Sequence, residues 1–112
     1  MLISQFNQYR VMWILLFFDL PTATKTDTKN YRNFVKHLEA DGFSRFQWSV
    51  FLRHCPSMDN AQVHIRRAES KLPPKGHVCM MHLTDKQFSM SKVFFSGKKE
   101  KTKAPTQQLE LF

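Results

Sequence analysis

The chain has 112 residues, of which 42% are hydrophobic, and this is enough to build one folded domain rather than a disordered segment. Seventeen Lys and Arg oppose nine Asp and Glu, and the resulting net charge of +8 is typical of small domains that bind a polyanion such as nucleic acid. The apolar runs are too short to cross a membrane, and two cysteines predict no disulfide framework, so we expect a cytoplasmic protein.

The first predicted strand ends in a carboxylate. After a polar lead-in at residues 1–10, the run VMWILLFF at residues 11–18 favours a strand buried on both faces. Asp19 follows directly, and an isolated charge near a core is costly unless it has a partner or a function. It either caps the following loop by accepting backbone hydrogen bonds or binds a metal ion.

A metal role for Asp19 depends on a second copy of the chain. One aspartate is a poor Mg²⁺ site, but two copies of Asp19 across a dimer two-fold axis, completed by phosphates of a bound nucleic acid, form a plausible one. Such an ion could activate water to cut a phosphodiester.

A helix is predicted next, with Thr26 or Asp27 as its cap and Gly42 at its C-terminal stop. Its apolar positions repeat with helical spacing and predict the buried face: Tyr31, Phe34, Val35 and Leu38. Another face carries only cations. It is either a solvated face or, as we favour, a surface that binds phosphates without reading sequence. The predicted nucleic-acid-binding residues are this face and four later arginines: Lys25, Lys29, Arg32, Lys36, Arg45, Arg53, Arg66 and Arg67.

Residues 43–53 alternate and predict either one long strand or a hairpin of two short strands. Four aromatic side chains in the predicted strands could stack nucleic-acid bases, although core or dimer contacts are the simpler interpretation: Trp13, Phe17, Phe18 and Trp48.

A second helix begins near Ser57 and ends before Pro73, and its buried stripe is predicted at Ala61, Ile65, Ala68 and Leu72. A strand follows at residues 77–84, and a weak final strand is predicted at residues 87–95. His54-Cys55 and His77-x-Cys79 could hold zinc only if their strand ends met, so buried or surface side chains without a metal are the simpler interpretation.

This order predicts an α+β fold, a ferredoxin-like β-α-β-β-α-β sandwich with an extra C-terminal strand, over residues 11–96. One face of its sheet lacks helices, and a second copy of the chain is the simplest cover, which predicts a two-fold homodimer.

Residues 97–112 are predicted to be a basic linker and a docking tail. The terminal stretch QQLELF places apolar side chains at Leu109, Leu111 and Phe112, a spacing suited to adding a strand to an exposed sheet edge. A disordered end is the alternative.

The ordered set FFDLP, KNYRNF, QWSVFLRHCP, LPPKGHV and LTDKQF, over about residues 11–95, resembles the small CRISPR-associated adaptation protein (Cas-two) family, in its type II version. The resemblance implies a homodimer that bridges two dimers of the CRISPR-associated integrase and holds a short DNA duplex for insertion as a new spacer. It also implies Mg²⁺-dependent endoribonuclease activity, on single-stranded RNA or in some members on DNA, with Asp19 as the family's acidic residue. Phe18 stands where the family often has Tyr. The last strand, at residues 88–95, would pair with the other protomer, and the tail would dock on the integrase.

We rank the scaffold role above the nuclease role, because the sequence offers no histidine or second carboxylate beside Asp19 as an evident general base. A protein that is mainly a nuclease is the alternative. A third reading is that QLELF resembles the peptide that binds the bacterial sliding clamp.

Overall fold

The structure, a computed structural model, describes residues 11–95 and 97–100. Its elements follow in the order β1 (Met12–Asp19), α1 (Lys25–Ala40), β2 (Ser44–Gln47), β3 (Val50–Cys55), α2 (Met58–Glu69), β4 (His77–Thr84), α3 (Asp85–Ser89), β5 (Val93–Phe95) and β6 (Lys98–Glu100). The first four strands form one antiparallel sheet in the order β2-β3-β1-β4. The ferredoxin-like α+β fold is therefore confirmed, and residues 43–53 form a hairpin.

The central strand β1 divides its side chains between two faces. Ile14, Leu16 and Phe18 point to the face covered by α1 and α2, where they join the main core. Trp13 and Phe17 point to the opposite face, hereafter the open face. Trp13 is fully buried there, but 39% of Phe17 is exposed. Burial on both faces is therefore confirmed at one end of β1 and is wrong at the other.

Helix α1 begins two or three residues earlier than the predicted caps. Thr24 is the N-cap, and its hydroxyl accepts a hydrogen bond from the Asp27 backbone N–H at 3.0 Å. The Asp27 carboxylate in turn accepts from the Thr24 N–H at 3.3 Å, which completes a capping box. The predicted stop is confirmed, since Gly42 follows the C-cap with a φ of 91°. The predicted buried face is also confirmed, with Tyr31 partly buried at its edge.

Helix α2 is capped by Ser57, whose hydroxyl accepts from the Asn60 N–H at 3.1 Å. The helix ends at Glu69, so Leu72 lies beyond it and is 45% exposed, and its predicted burial is wrong. A histidine takes part in the buried stripe instead, since His64 is only 6% exposed.

The predicted final strand is largely wrong. Thr84 and Gln87 form a capping box, with the Gln87 N–H donating to the Thr84 hydroxyl at 3.1 Å and the Thr84 N–H to the Gln87 side chain at 2.9 Å. This box starts the short helix α3, which packs Phe88 against Trp13 at 4.8 Å between ring centroids on the open face. Only β5 remains of the predicted strand.

The segment after β5 differs from the predicted linker at its start, because β6 pairs with β5 as an antiparallel hairpin. The lead-in at residues 1–10 and the tail with Leu109, Leu111 and Phe112 lie outside the described residues. In the described ranges, no helix has the length and apolarity that crossing a bilayer requires.

Candidate active site and nucleic-acid interface

Asp19 lies exposed at the end of β1, on the open face. In residues 11–95 and 97–100, no hydrogen bond or ion pair engages its carboxylate. The loop that follows β1 is capped by Thr24 and Asp27 instead. The loop-capping interpretation of Asp19 is therefore wrong, and the carboxylate is free to bind a ligand.

The residue beside Asp19 is a histidine. His77 begins β4 and is the cross-strand partner of Asp19, a position that brings the Cβ atoms to within about 4.5–5.5 Å of each other. Both side chains are exposed. The expectation that no histidine neighbours Asp19 is therefore wrong. No spacing in the sequence signals this pair, because only the register of β1 against β4 brings the two residues together.

Gly76 allows β4 to approach β1 this closely. Its φ is 94°, and a Cβ there would lie 2.6 Å from the carbonyl oxygen of Asp19 and 2.8 Å from a methyl of Leu20. A side chain at position 76 would therefore push the start of β4 away from the end of β1. Gly76 is in this way a positioning residue for the pair of Asp19 and His77.

One chain supplies only part of a metal site. Within the described ranges, no group of three or more His, Cys, Asp or Glu side chains could hold an ion. Mg²⁺ often binds through one or two carboxylates, with water and substrate phosphates completing the shell. The Asp19 carboxylate fits one ligand of such a site, and a second copy of the chain would supply the second carboxylate.

The two His/Cys pairs considered as a zinc site do not meet. His54 pairs with Trp13 near one end of β1, whereas His77 pairs with Asp19 at the other end. Six residues of extended strand separate these positions by about 20 Å.

The open face carries apolar surface next to Asp19. Phe17 is 39% and Met81 is 45% exposed. A groove of about 320 Å³ continues this surface toward α3 and β5. Its apolar lining includes Leu15, Phe46, Val50, Leu52, Leu83 and Phe88. This apolar surface is the candidate for an interface on the open face.

The four cations predicted on α1 are brought together. All four are exposed, and they line one groove of about 490 Å³ at the start and middle of the helix: Lys25, Lys29, Arg32 and Lys36. The other lining residues are uncharged. We call this surface the basic groove. Its local charge is uniformly positive, as a phosphate-binding surface requires.

The four predicted arginines outside α1 do not line this groove. Arg66 is exposed on α2. Arg53 is partly buried, and its Nε donates to the Asp41 carbonyl at 2.7 Å while its Nη1 donates to the His54 carbonyl at 2.8 Å. Arg67 donates from Nη1 to Asp41 Oδ1 at 2.9 Å. The Arg45 guanidinium lies over the rings of Trp48 and Phe51. Their role in nucleic-acid binding stays a prediction, and Arg53 and Arg67 also bind Asp41.

Asp41 joins the end of α1 to α2. Its second carboxylate oxygen lies 2.8 Å from Nδ1 of the buried His64. Burial alone would raise the pKa of Asp41, but the hydrogen bonds from His64 and Arg67 outweigh it and hold the pKa below its usual value of 3.8. The folded state therefore favours the ionised carboxylate.

We expect Asp41→Asn to lower the free energy of unfolding at pH 7 by about 1.5–3 kcal/mol, the usual value of a hydrogen bond to a charged group. Because the pKa is lowered in the folded state, the unfolded chain binds more protons below about pH 4, and wild-type stability falls as the pH falls through that range. The free energy of unfolding, measured with urea, should differ less between pH 7 and pH 3 in the variant than in the wild-type protein. Asp19→Asn, which removes an unpartnered carboxylate, is the matched control and should keep the wild-type difference.

The family model described as "CRISPR associated protein Cas2" matches residues 12–91. A protein of Flavobacterium psychrophilum, named CRISPR-associated endoribonuclease Cas2, is 49% identical over 109 residues, which cover 97% of this chain and 95% of that protein. Proteins with the same name from Parvibaculum lavamentivorans and Ligilactobacillus salivarius are 43% and 41% identical, over 90% and 80% of this chain and 100% and 88% of theirs.

Proposed function

Because this chain belongs to the Cas2 family of CRISPR-associated proteins, we propose that it acts in spacer acquisition as a homodimer with metal-dependent endoribonuclease activity. In this proposal the dimer binds a short DNA duplex and bridges two dimers of the CRISPR-associated integrase. The endoribonuclease part of the proposal rests on the similar proteins, several of which are named CRISPR-associated endoribonuclease.

The observation that carries the proposal is the position of Asp19 at the rim of the open face. Phe17 and Met81 leave apolar surface in water that a second copy would remove. Pairing of two open faces about a two-fold axis that passes near the end of β1 would bring two copies of Asp19 toward each other. The proposed dimer and the proposed catalytic site therefore depend on each other, because the open face forms both.

At the proposed dimer interface, three residues of each chain have defined roles. The two Asp19 carboxylates would hold Mg²⁺ together with a phosphate oxygen of the substrate. When bound, the ion supplies Lewis-acid activation of water and neutralises phosphate charge. His77, opposite Asp19, adds an imidazole that can move a proton or orient the carboxylate. Gly76 keeps the two side chains adjacent.

The scaffold role draws on different residues. It needs the dimer and the basic groove, and neither depends on a metal. A groove lined by four cations binds the backbone of a duplex of any sequence, as capture of varied spacers requires. Leu109, Leu111 and Phe112 lie outside the described residues, so docking of the tail on the integrase, or on the sliding clamp, stays a prediction.

Charge removal in the basic groove is expected to weaken duplex binding and its salt dependence. Each phosphate contact contributes about 0.9 to the slope of log K against log salt concentration, so Lys29→Gln with Lys36→Gln should lower that slope by about 2. Fluorescence anisotropy of a labelled duplex between low and moderate salt measures it. Lys71→Gln with Lys86→Gln, two exposed lysines outside the groove, is the matched control. An unchanged slope in the groove variant would place the duplex elsewhere.

In vitro spacer integration tests the proposed function. Purified integrase and a short DNA duplex should give integration only when this protein is added. If the integrase works equally well alone, the scaffold proposal is wrong. Asp19→Asn then separates the two roles, because a scaffold supports integration without this carboxylate, whereas RNA cleavage needs it.

A further inference from the structure

Trp48 has the largest exposed fraction among the big apolar side chains in the described part of the chain, at 74%. It occupies the two-residue turn between β2 and β3, where Asn, Asp and Gly are the usual residues. A core position is confirmed for Trp13 and Phe18 but is wrong for Trp48, whose predicted dimer contact stays a prediction. Neither turn chemistry nor packing explains an indole at this place.

Arg45 supports the indole from one side. Its Cζ lies 4.8 Å from the centroid of the Trp48 ring, within the range of a cation–π contact, and its Nη1 donates to the Trp48 carbonyl at 3.1 Å. The same guanidinium lies 5.1 Å from the ring of Phe51, which is fully buried. Arg45 is therefore anchored between a buried and an exposed ring, and it leaves most of the indole in water with a positive charge beside it.

The turn that carries Trp48 lies next to Asp19. The backbone N–H of Phe18 donates to the Ser49 carbonyl at 3.1 Å, which ties the turn to the end of β1. Because neighbouring strands are about 4.8 Å apart, the backbone of this turn lies beside the end of β1 on one side, as the start of β4 lies on the other. The Trp48 turn, Asp19 and His77 therefore belong to one edge of the sheet.

We propose that Trp48 and Arg45 form a stacking site for one unpaired base of a polynucleotide whose backbone passes Asp19. The proposal deepens the endoribonuclease function and rests on it. An indole face accepts any base, but a base inside a duplex is already stacked and does not present its face. The site therefore selects a strand that is unpaired beside the bond to be cut, and the guanidinium adds charge for a neighbouring phosphate. The net charge of +8 favours a polynucleotide over a protein as the occupant.

Tryptophan fluorescence tests this site directly. The chain has two tryptophans, and Trp13 is fully buried, so quenching by an added oligonucleotide reports on Trp48. Titration of the wild-type protein with a single-stranded RNA oligonucleotide, without divalent metal so that nothing is cut, should give saturable quenching. The quenching should be absent in Trp48→Phe. Trp48→Ala should bind the oligonucleotide about 5- to 150-fold more weakly, the range found for base–aromatic stacking.

Two matched ligands separate stacking from charge. An abasic strand of the same length, and a blunt duplex of the same sequence, should bind through their phosphates but leave the fluorescence nearly unchanged. Equal quenching by the abasic strand would overturn the proposal. So would unchanged oligonucleotide affinity in Trp48→Ala, or loss of dimer or integrase binding in that variant with oligonucleotide affinity intact, because Trp48 would then be a protein contact.

The stacking site and the nuclease function can fail separately. Quenching without any RNA cleavage after Mg²⁺ is added would contradict the nuclease function and leave the stacking site standing. Wild-type affinity and cleavage in Trp48→Ala would remove the stacking site and leave the nuclease standing. Asp19→Asn should keep the quenching of the wild-type protein, since it changes the carboxylate and not the indole.

Discussion

Asp19→Asn is expected to lower metal-dependent RNA cleavage by at least about 100-fold. Substitution of residues that merely orient metal ligands already lowers metal affinity or activity by about 10- to 100-fold. Asparagine keeps the shape of the side chain and removes its charge. In a dimer the shared site would lose two negative charges at once, so the effect should exceed that of a single ligand. Cleavage of a labelled single-stranded RNA at saturating Mg²⁺ measures the rate.

The fold and the dimer should survive this change. Asp19 is exposed and its carboxylate has no partner among the described residues, so its charge stabilises nothing within one chain. Asp59→Asn, the same substitution at an exposed aspartate on α2, is the matched control and should cleave RNA at the wild-type rate. Undiminished cleavage by Asp19→Asn would place the chemistry at another site or in a contaminating nuclease.

Met81→Asp is expected to weaken dimerisation by at least about 100-fold. Met81 is 45% exposed on the open face, opposite Leu15 of β1. A second copy placed there would bury the new carboxylate without a partner, and an uncompensated buried charge costs about 3–5 kcal/mol. Each dimer would contain two such charges. RNA cleavage should fall in parallel, because the two Asp19 carboxylates would no longer meet in the proposed dimer.

Met58→Asp is the matched control for this variant. Met58 is 37% exposed, carries the same side chain and begins α2. An aspartate at a helix start is well tolerated, so the control should dimerise as the wild-type protein does. Sedimentation equilibrium gives both dissociation constants. A Met81→Asp protein that dimerises normally would show that the two copies meet through another surface.

Local sequence patterns predicted much of this fold. The apolar run of β1 and the 3.6-residue spacing of Phe34, Val35 and Leu38 in α1 each report on burial within one element. The strand at His77–Thr84 was also predicted at its observed place. Asp19 stood out because a charge at the end of an apolar strand needs an explanation. The cations of α1 were also predictable, since residues on one helix face lie together wherever the helix packs.

Contacts between different elements could not be predicted from such local patterns. The register of β1 against β4 decides that His77 faces Asp19, and tertiary packing decides that Asp41 engages Arg67. The exposure of Trp48 depends on where the hairpin turns, which alternation alone left open. Helix α3 is a different case, because its capping box was visible in the sequence and the apolar residues near it were read as a strand instead.

The most direct test of the shared site is the number of metal ions bound per chain. Mn²⁺ can replace Mg²⁺ and is counted by the electron paramagnetic resonance signal of the free ion. Titration in the presence of a non-cleavable RNA should give one ion for every two chains, and that binding should disappear in Asp19→Asn. One ion per chain, or the same binding in the variant, would contradict a site built from two copies of Asp19.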